Sequence, residues 1–269
     1  VMNPALSNSK SVQAVEPADT IPEIRTITSA DLQWALAEGW RDFRAMRGDL
    51  IFAGLLYPVI CLVAVIVTFN DPLLPLFFPL VAGVSIAGPA VASGFYELAR
   101  RRESNEDSSW WHFLDPLRGR SRMPIAMLTI GLGALFVGWL VAAYLIYDVT
   151  FGAEAPLRVS DVFSRLFTSQ AGWELIVLGN LAGLAFAVVT LVFSTVSFPM
   201  VVDKPIEAEL AVRTSLAAAR RNPAAFAGWG LRVAALLALG LIPFAIGLAV
   251  ILPWLGYSTW HLYTRLVVR

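Results

Sequence analysis

The sequence predicts an all-α, polytopic membrane protein with about six transmembrane helices and amphipathic helices at the membrane surface. Three observations carry this. Hydrophobic residues make up 57% of the 269 positions and charged ones 15%. The charges crowd into short segments between apolar runs of about 18 residues or more, the length at which a helix crosses a bilayer with its backbone satisfied. Lys and Arg fall almost entirely on alternate sides of those runs, as they do in proteins whose cytoplasmic loops hold the positive charge.

Residues 1–27 are rich in Ser, Pro and Asn and have no apolar core, so they read as a disordered cytoplasmic tail and not as a secretory signal. Residues 28–269 read as one integral-membrane helical domain. Its first element, Thr28–Arg47, is an amphipathic helix with Leu32, Ala35, Leu36, Gly39, Phe43 and Met46 on one stripe. Arg41, Asp42 and Arg44 lie off the stripe, and Trp34 does not fit it. The expectation is a helix lying along the membrane.

The spans follow at about 50–69, 73–98, 124–147, 173–200, 225–242 and 244–263. Asn70-Asp71-Pro72 turns the chain between the first two. Pro89 should kink the second unless neighbours reabsorb the freed carbonyl, and Gly83 and Ala87 give it a small-residue spacing for close helix contact. The polar loop Arg100–Arg122 opens with Arg100-Arg101-Arg102 and closes with Arg118, Arg120 and Arg122. Between them Trp110-Trp111-His112-Phe113 should sit at the headgroup level, where tryptophan is favoured. After the third span a short helix is expected around Val159, Val162, Phe163, Leu166 and Phe167. The fourth span has a small-residue face, Gly179, Gly183 and Ala187, with Asn180 as its one strongly polar side chain and Ser194, Thr195 and Ser197 near its end.

Phe198-Pro199 closes that span, and Asp203-Lys204-Pro205 reads as the start of the next helix, with Asp203 capping free N–H groups. Glu209 and Arg213 can pair on its wet face, and Ala208, Ala211, Ser215 and Ala219 form the packing face. Asn222-Pro223 stops it. Two roles suit this helix: a docking or gating element at the membrane surface, or a structural elbow between spans. The stretch 224–263 carries a single charge, Arg232, and divides near Ile242-Pro243 into spans five and six. Arg232 can snorkel to the inner end of span five. A shift of 174 residues aligns Leu32 with Ile206, Leu36 with Leu210 and Arg47 with Arg221, a weak internal repeat of the kind transporters carry.

With the N-terminus in the cytoplasm, inner segments hold seventeen Lys and Arg and outer segments hold Arg158 and Arg165. Both termini then face the cytoplasm.

Several marks together resemble a known family: Gly88-Pro89 with Gly94-Phe95-Tyr96-Glu97, Phe198-Pro199-Met200 before Asp203, and Leu252-Pro253-Trp254-Leu255-Gly256-Tyr257 followed by Thr259-Trp260-His261-Leu262-Tyr263. They resemble an uncharacterised bacterial family of integral membrane proteins, a domain of unknown function, over roughly Ile24 to the C-terminus. The resemblance implies a bacterial inner-membrane protein. Some relatives carry a cytochrome c oxidase subunit label. It implies no catalytic residue.

The residues test that label. A catalytic haem-copper subunit needs several membrane-embedded histidines, and this chain has His112 and His261 only. Cys61 is the single cysteine, so neither a disulfide within the chain nor a cysteine zinc site is available. No HExxH, GxSxG or phosphate-binding loop is present. Zero net charge gives no case for nucleic acid. No enzyme, metal or cofactor is therefore expected, and the positions singled out are Asn180, Glu97, Pro89, Pro199, Asp203, Arg232, Trp260 and His261. The favoured reading is an accessory, scaffold or assembly partner of other membrane proteins, with respiratory complexes as one partner class. The alternative is a transporter or channel for a small or lipophilic solute, and a third reading is lipid handling by the basic face.

Overall fold

The computed structural model describes residues 20–46, 77–152, 159–242 and 247–269, with the backbone alone for 77–87 and 159–163. The expected first span, the Asn70-Asp71-Pro72 turn, Cys61 and residues 1–19 of the tail lie outside the described residues. So does the middle of the proposed repeat, and so do the side chains of Gly83 and Ala87. The elements are α1 (Ser29–Ala45), α2 (Phe77–Glu103), a 3-10 turn (Trp110–Leu114), α3 (Asp115–Arg118), α4 (Arg122–Phe151), α5 (Val159–Thr168), α6 (Gln170–Ser194), α7 (Ser197–Asp203), α8 (Ala208–Arg221), α9 (Pro223–Leu241) and α10 (Leu248–Leu266). Among the described residues all regular structure is helical. Three helical segments are long and apolar enough to cross a membrane: Arg122–Phe151, Gln170–Asp203 and Pro223–Leu241.

The segment expected as span six, α10, is not one of these three. Its C-terminal half carries Tyr257, Ser258, Trp260, Leu262 and Tyr263 into the core, where α1, α2 and α9 cover it. The apolar stripe of α1 packs on α10. Gly39 makes the crossing possible, because a Cβ there would lie 2.1 Å from the Ser258 hydroxyl oxygen. The stripe is thus taken by the chain's own last helix and is not presented to lipid. Trp34, which fits no stripe, is held by α10 as well: its ring stands edge-on to His261, and the Arg265 guanidinium lies 3.9 Å above it. On the other side of α10, Gly256 lets Phe95 of α2 come within 2.9 Å of where a Cβ would be.

Residues 20–27 correct the expected tail. Ile24 forms an antiparallel bridge with Val267, through Arg25 N–H to the Leu266 carbonyl at 2.8 Å and Val268 N–H to the Glu23 carbonyl at 3.0 Å. Asn222, buried between α8 and α9, accepts from Ile27 N–H at 2.9 Å and donates to the Arg25 carbonyl at 3.0 Å. Polar composition suggested disorder, but the main chain here has partners that remote segments supply. The next residues start α1, where the Asp31 carboxylate accepts from both the N–H and the hydroxyl of Thr28. These bonds, led by the backbone one, hold Asp31 below the usual carboxylate range.

The expected fourth span is broken in two at Thr195-Val196. Pro199 has no N–H to give the Thr195 carbonyl and its ring crowds that carbonyl, so the helix cannot continue unchanged. Ser215 of α8 mends the break: its hydroxyl accepts from Val196 N–H at 3.2 Å and donates to the Val192 carbonyl at 2.6 Å. Asp203 does not cap the following helix. It is the last residue of α7, and α8 starts at Ala208 with Glu207 before it. From Ala208 to Arg221 the element matches expectation, with Glu209 and Arg213 3.7 Å apart on the exposed face and Ala208, Ala211, Ser215 and Ala219 buried. α2 runs unbroken through Pro89. α9 ends at Leu241 and α10 starts at Leu248, with Gly240 against Leu248, and Pro243 of the expected division lies outside the described residues.

Candidate functional site

Ionisable side chains gather at one end of the bundle, where α2 and α10 finish and α7 meets α8. Asp42 of α1 is buried there. Its carboxylate receives His261 Nε2 at 2.7 Å and Arg102 Nε at 3.0 Å. Asp42, expected off the stripe, instead continues it, seven residues after Ala35 and three after Gly39, so it points at α10 and not at water. This spacing was the signal by which the sequence could have placed it.

Glu97, nearly two turns before the end of α2, is also buried. Arg100 binds it through both Nε and Nη2, at 2.9 and 2.8 Å, and Arg101 adds Nε at 2.7 Å. The hydrogen bond to Glu97 is the main reason that the Arg100 guanidinium holds its proton more tightly than usual. Arg101 reaches on to Asp115 at 2.9 Å. Asp115 in turn meets His112 Nδ1 at 2.6 Å, and His112 Nε2 lies 3.3 Å from Asp107. The bond to Asp115, then that to Asp107, raises the His112 pKa above its ordinary value. Asp107 is held low, first by Ser109 N–H.

A third group joins the C-terminal segment to the rest. Glu103 accepts from Trp260 Nε1 at 3.1 Å and pairs with Arg269. Asp203 accepts from the Tyr263 hydroxyl at 2.8 Å, with Arg269 3.8 Å away. Trp260 is fully buried, so it anchors the last helix inside the protein and not at a membrane edge. Glu97, Asp203, Trp260 and His261 therefore share one layer, which the sequence had scattered over separate span ends. Asp42, Glu103, Asn222 and Ser215 belong with them and were missed as site residues.

Arg232 lies apart. Its guanidinium turns back along α9 to the Gly228 carbonyl at 2.9 Å and to the Ser29 hydroxyl at 3.2 Å. This is the reach toward the helix start that snorkelling requires.

Among the described residues an apolar cleft of about 550 Å³ opens between α2, α6, α9 and α10, with Trp139 of α4 at its edge. Gly88, Pro89, Ala92, Gly179, Gly183, Ala187 and Gly256 make much of its wall. Asn180 lines it too. Its amide is exposed and donates to the Ile176 carbonyl of its own helix at 2.7 Å, not to a neighbouring helix. The Thr190 hydroxyl is buried in the same wall and has no hydrogen-bond partner among the described residues.

Each histidine has a carboxylate partner: Asp115 and Asp107 meet the two ring nitrogens of His112, and Asp42 meets Nε2 of His261. Among the described residues no three His, Cys, Asp or Glu side chains form a metal-sized group.

Comparison with curated proteins and with solved structures gives no match. A family model does match, over residues 77–203, from the first residue of α2 to the last of α7. The ending 252–263, the most specific mark of the resemblance, falls outside the matched residues. Within them lie Gly94-Phe95-Tyr96-Glu97 and Phe198-Pro199-Met200, which frame α2, the paired-arginine turn and the broken α6–α7 helix. Residues 77–203 of this chain match the model of the family described as predicted integral membrane protein (DUF2189), a domain of unknown function.

Proposed function

We propose that the chain is a non-catalytic protein of the bacterial inner membrane that works by contact with other membrane proteins, as an accessory, scaffold or assembly factor. The observation that carries this is the cleft between α2, α6, α9 and α10. Its wall is apolar and rich in glycine and alanine, and such surfaces let a second helix approach closely in lipid. The side chains suited to acid–base chemistry lie elsewhere, in ion pairs that tie α1, α2 and α10 together. A respiratory complex is the partner class that the oxidase label of some relatives suggests.

The test is purification of the tagged protein in mild detergent, with mass spectrometry and a visible spectrum. A stoichiometric membrane partner that Gly183→Leu releases supports the reading, and a haem Soret band would then travel with the partner. A solitary, colourless protein overturns it.

The second reading, a transporter or channel for a small or lipophilic solute, is favoured by Asn180 and the unpartnered Thr190 hydroxyl on the cleft wall. Solute flux in proteoliposomes that Asn180→Leu abolishes would replace the first reading with this one. The topology proposed with either has several spans and both termini in the cytoplasm. In a Cys61→Ser background, an impermeant thiol reagent should label Thr168→Cys from the periplasm and leave Ser104→Cys unlabelled. Labelling of both from one side sinks that topology.

A further inference from the structure

The turn between α2 and α4 has two faces. Phe113 and Pro116 point inward, Phe113 against Phe95 with ring centroids 4.9 Å apart. Trp111, Leu114 and Leu117, three residues apart in succession, point outward and are 67%, 42% and 49% exposed. The Trp111 ring lies on that of Trp110, with centroids 3.6 Å apart. Water is a poor solvent for such a stripe.

Three arginines follow it. Arg118, Arg120 and Arg122 are exposed, and among the described residues none has a carboxylate within salt-bridge distance. Arg120 donates to the Asp203 main-chain carbonyl at 3.1 Å, which fixes its position without neutralising it. The Ser121 hydroxyl, bonded to the Val201 carbonyl at 2.6 Å, pins the same turn to α7. At Arg122 the apolar α4 begins, and Met123, Met127 and Ile130 form its exposed face. The three cations thus stand at the start of an apolar helix long enough to cross a membrane, beside an exposed tryptophan stripe.

We propose that Trp111, Leu114 and Leu117 with Arg118, Arg120 and Arg122 form a docking surface for the anionic phospholipid headgroups of one leaflet. The apolar stripe enters the acyl boundary and the arginines meet the phosphates above it, the arrangement by which basic amphipathic segments select anionic lipid. Charge complementarity favours lipid over a protein occupant.

The test uses the full chain in phosphatidylcholine vesicles holding a minor fraction of brominated lipid. The readout is the quenching of tryptophan fluorescence that Trp110→Phe/Trp111→Phe removes. Brominated phosphatidylglycerol should quench about three-fold more than brominated phosphatidylcholine at the same fraction, since each arginine near the surface enriches anionic lipid about five-fold at most. Arg118→Gln/Arg120→Gln/Arg122→Gln should equalise the two, and the triple Lys variant should keep the preference. High salt should weaken the preference of the unaltered chain, a readout that does not depend on how the variants fold. Equal quenching by both lipids, a preference insensitive to salt, or one that survives the Gln variant overturns the proposal. No quenching by either lipid overturns it in favour of a protein-covered surface.

Discussion

Six arginines flank the tryptophan turn, and the two triplets behave in opposite ways. Arg100, Arg101 and Arg102 end α2, and each is bound to a carboxylate: Glu97 for the first two, Asp115 also for the second, Asp42 for the third. Arg118, Arg120 and Arg122 have no carboxylate among the described residues and face outward. In counting positive charge for orientation the six are equal. In the folded protein, one triplet is part of the core's closure and the other is left to the surroundings. A charge therefore reports on a membrane surface only when the fold has not already neutralised it.

The sharpest way to break this contrast is at Glu97. Glu97→Leu leaves Arg100 and Arg101 half-buried without their main partner, and removing one member of such a group costs about 3–5 kcal/mol. Thermal melting in detergent should show the loss. A variant as stable as the parent would mean that the first triplet is as dispensable as the second. Asp42→Asn comes next. It weakens the bonds from Arg102 and His261 together, and about 1.5–3 kcal/mol is expected for hydrogen bonds to a charged group. The loss should be smaller in a His261→Gln background, because the two residues share the interaction. Equal losses in both backgrounds would separate them.

What the sequence made legible was local. The end of α8, its Glu209–Arg213 pair and the stop at Asn222-Pro223 rest on residues at most a few positions apart. Proline, glycine and i, i+4 spacing act over that range. Asp203 shows the limit. Its neighbours Lys204 and Pro205 made a plausible cap, but its position is settled by Tyr263, sixty residues on. The same holds for Asp42 with His261 and for Trp260 with Glu103, whose partners come from opposite parts of the chain. Asn222 and residues 23–25 repeat the lesson: a polar composition does not reveal a remote hydrogen-bond donor. Half of the candidate layer was named from the sequence, because buried acids and aromatics at helix ends stand out. The pairing that makes it one layer was not visible.

The second triplet sharpens the contrast from the other side. Arg118→Gln/Arg120→Gln/Arg122→Gln should change stability in uncharged detergent by no more than about 0.5 kcal/mol, as exposed positions usually do. A loss approaching that of Glu97→Leu would make both triplets structural and erase the distinction.

The smallest effect lies between the triplets, at His112. It is bound to Asp115, which also holds Arg101, so it belongs to the neutralised side of the turn. Its pKa in the folded protein is raised, chiefly by Asp115, above the roughly 6.5 of a free imidazole. The charged form is therefore favoured by folding. That contribution is complete below the unfolded pKa and disappears as the pH rises through the higher folded value. A histidine NMR titration in detergent should place the His112 midpoint above the ordinary value, and Asp115→Asn should bring it down. An unshifted midpoint in the parent would detach His112 from the ion-pair layer and move it to the outward face with Trp111.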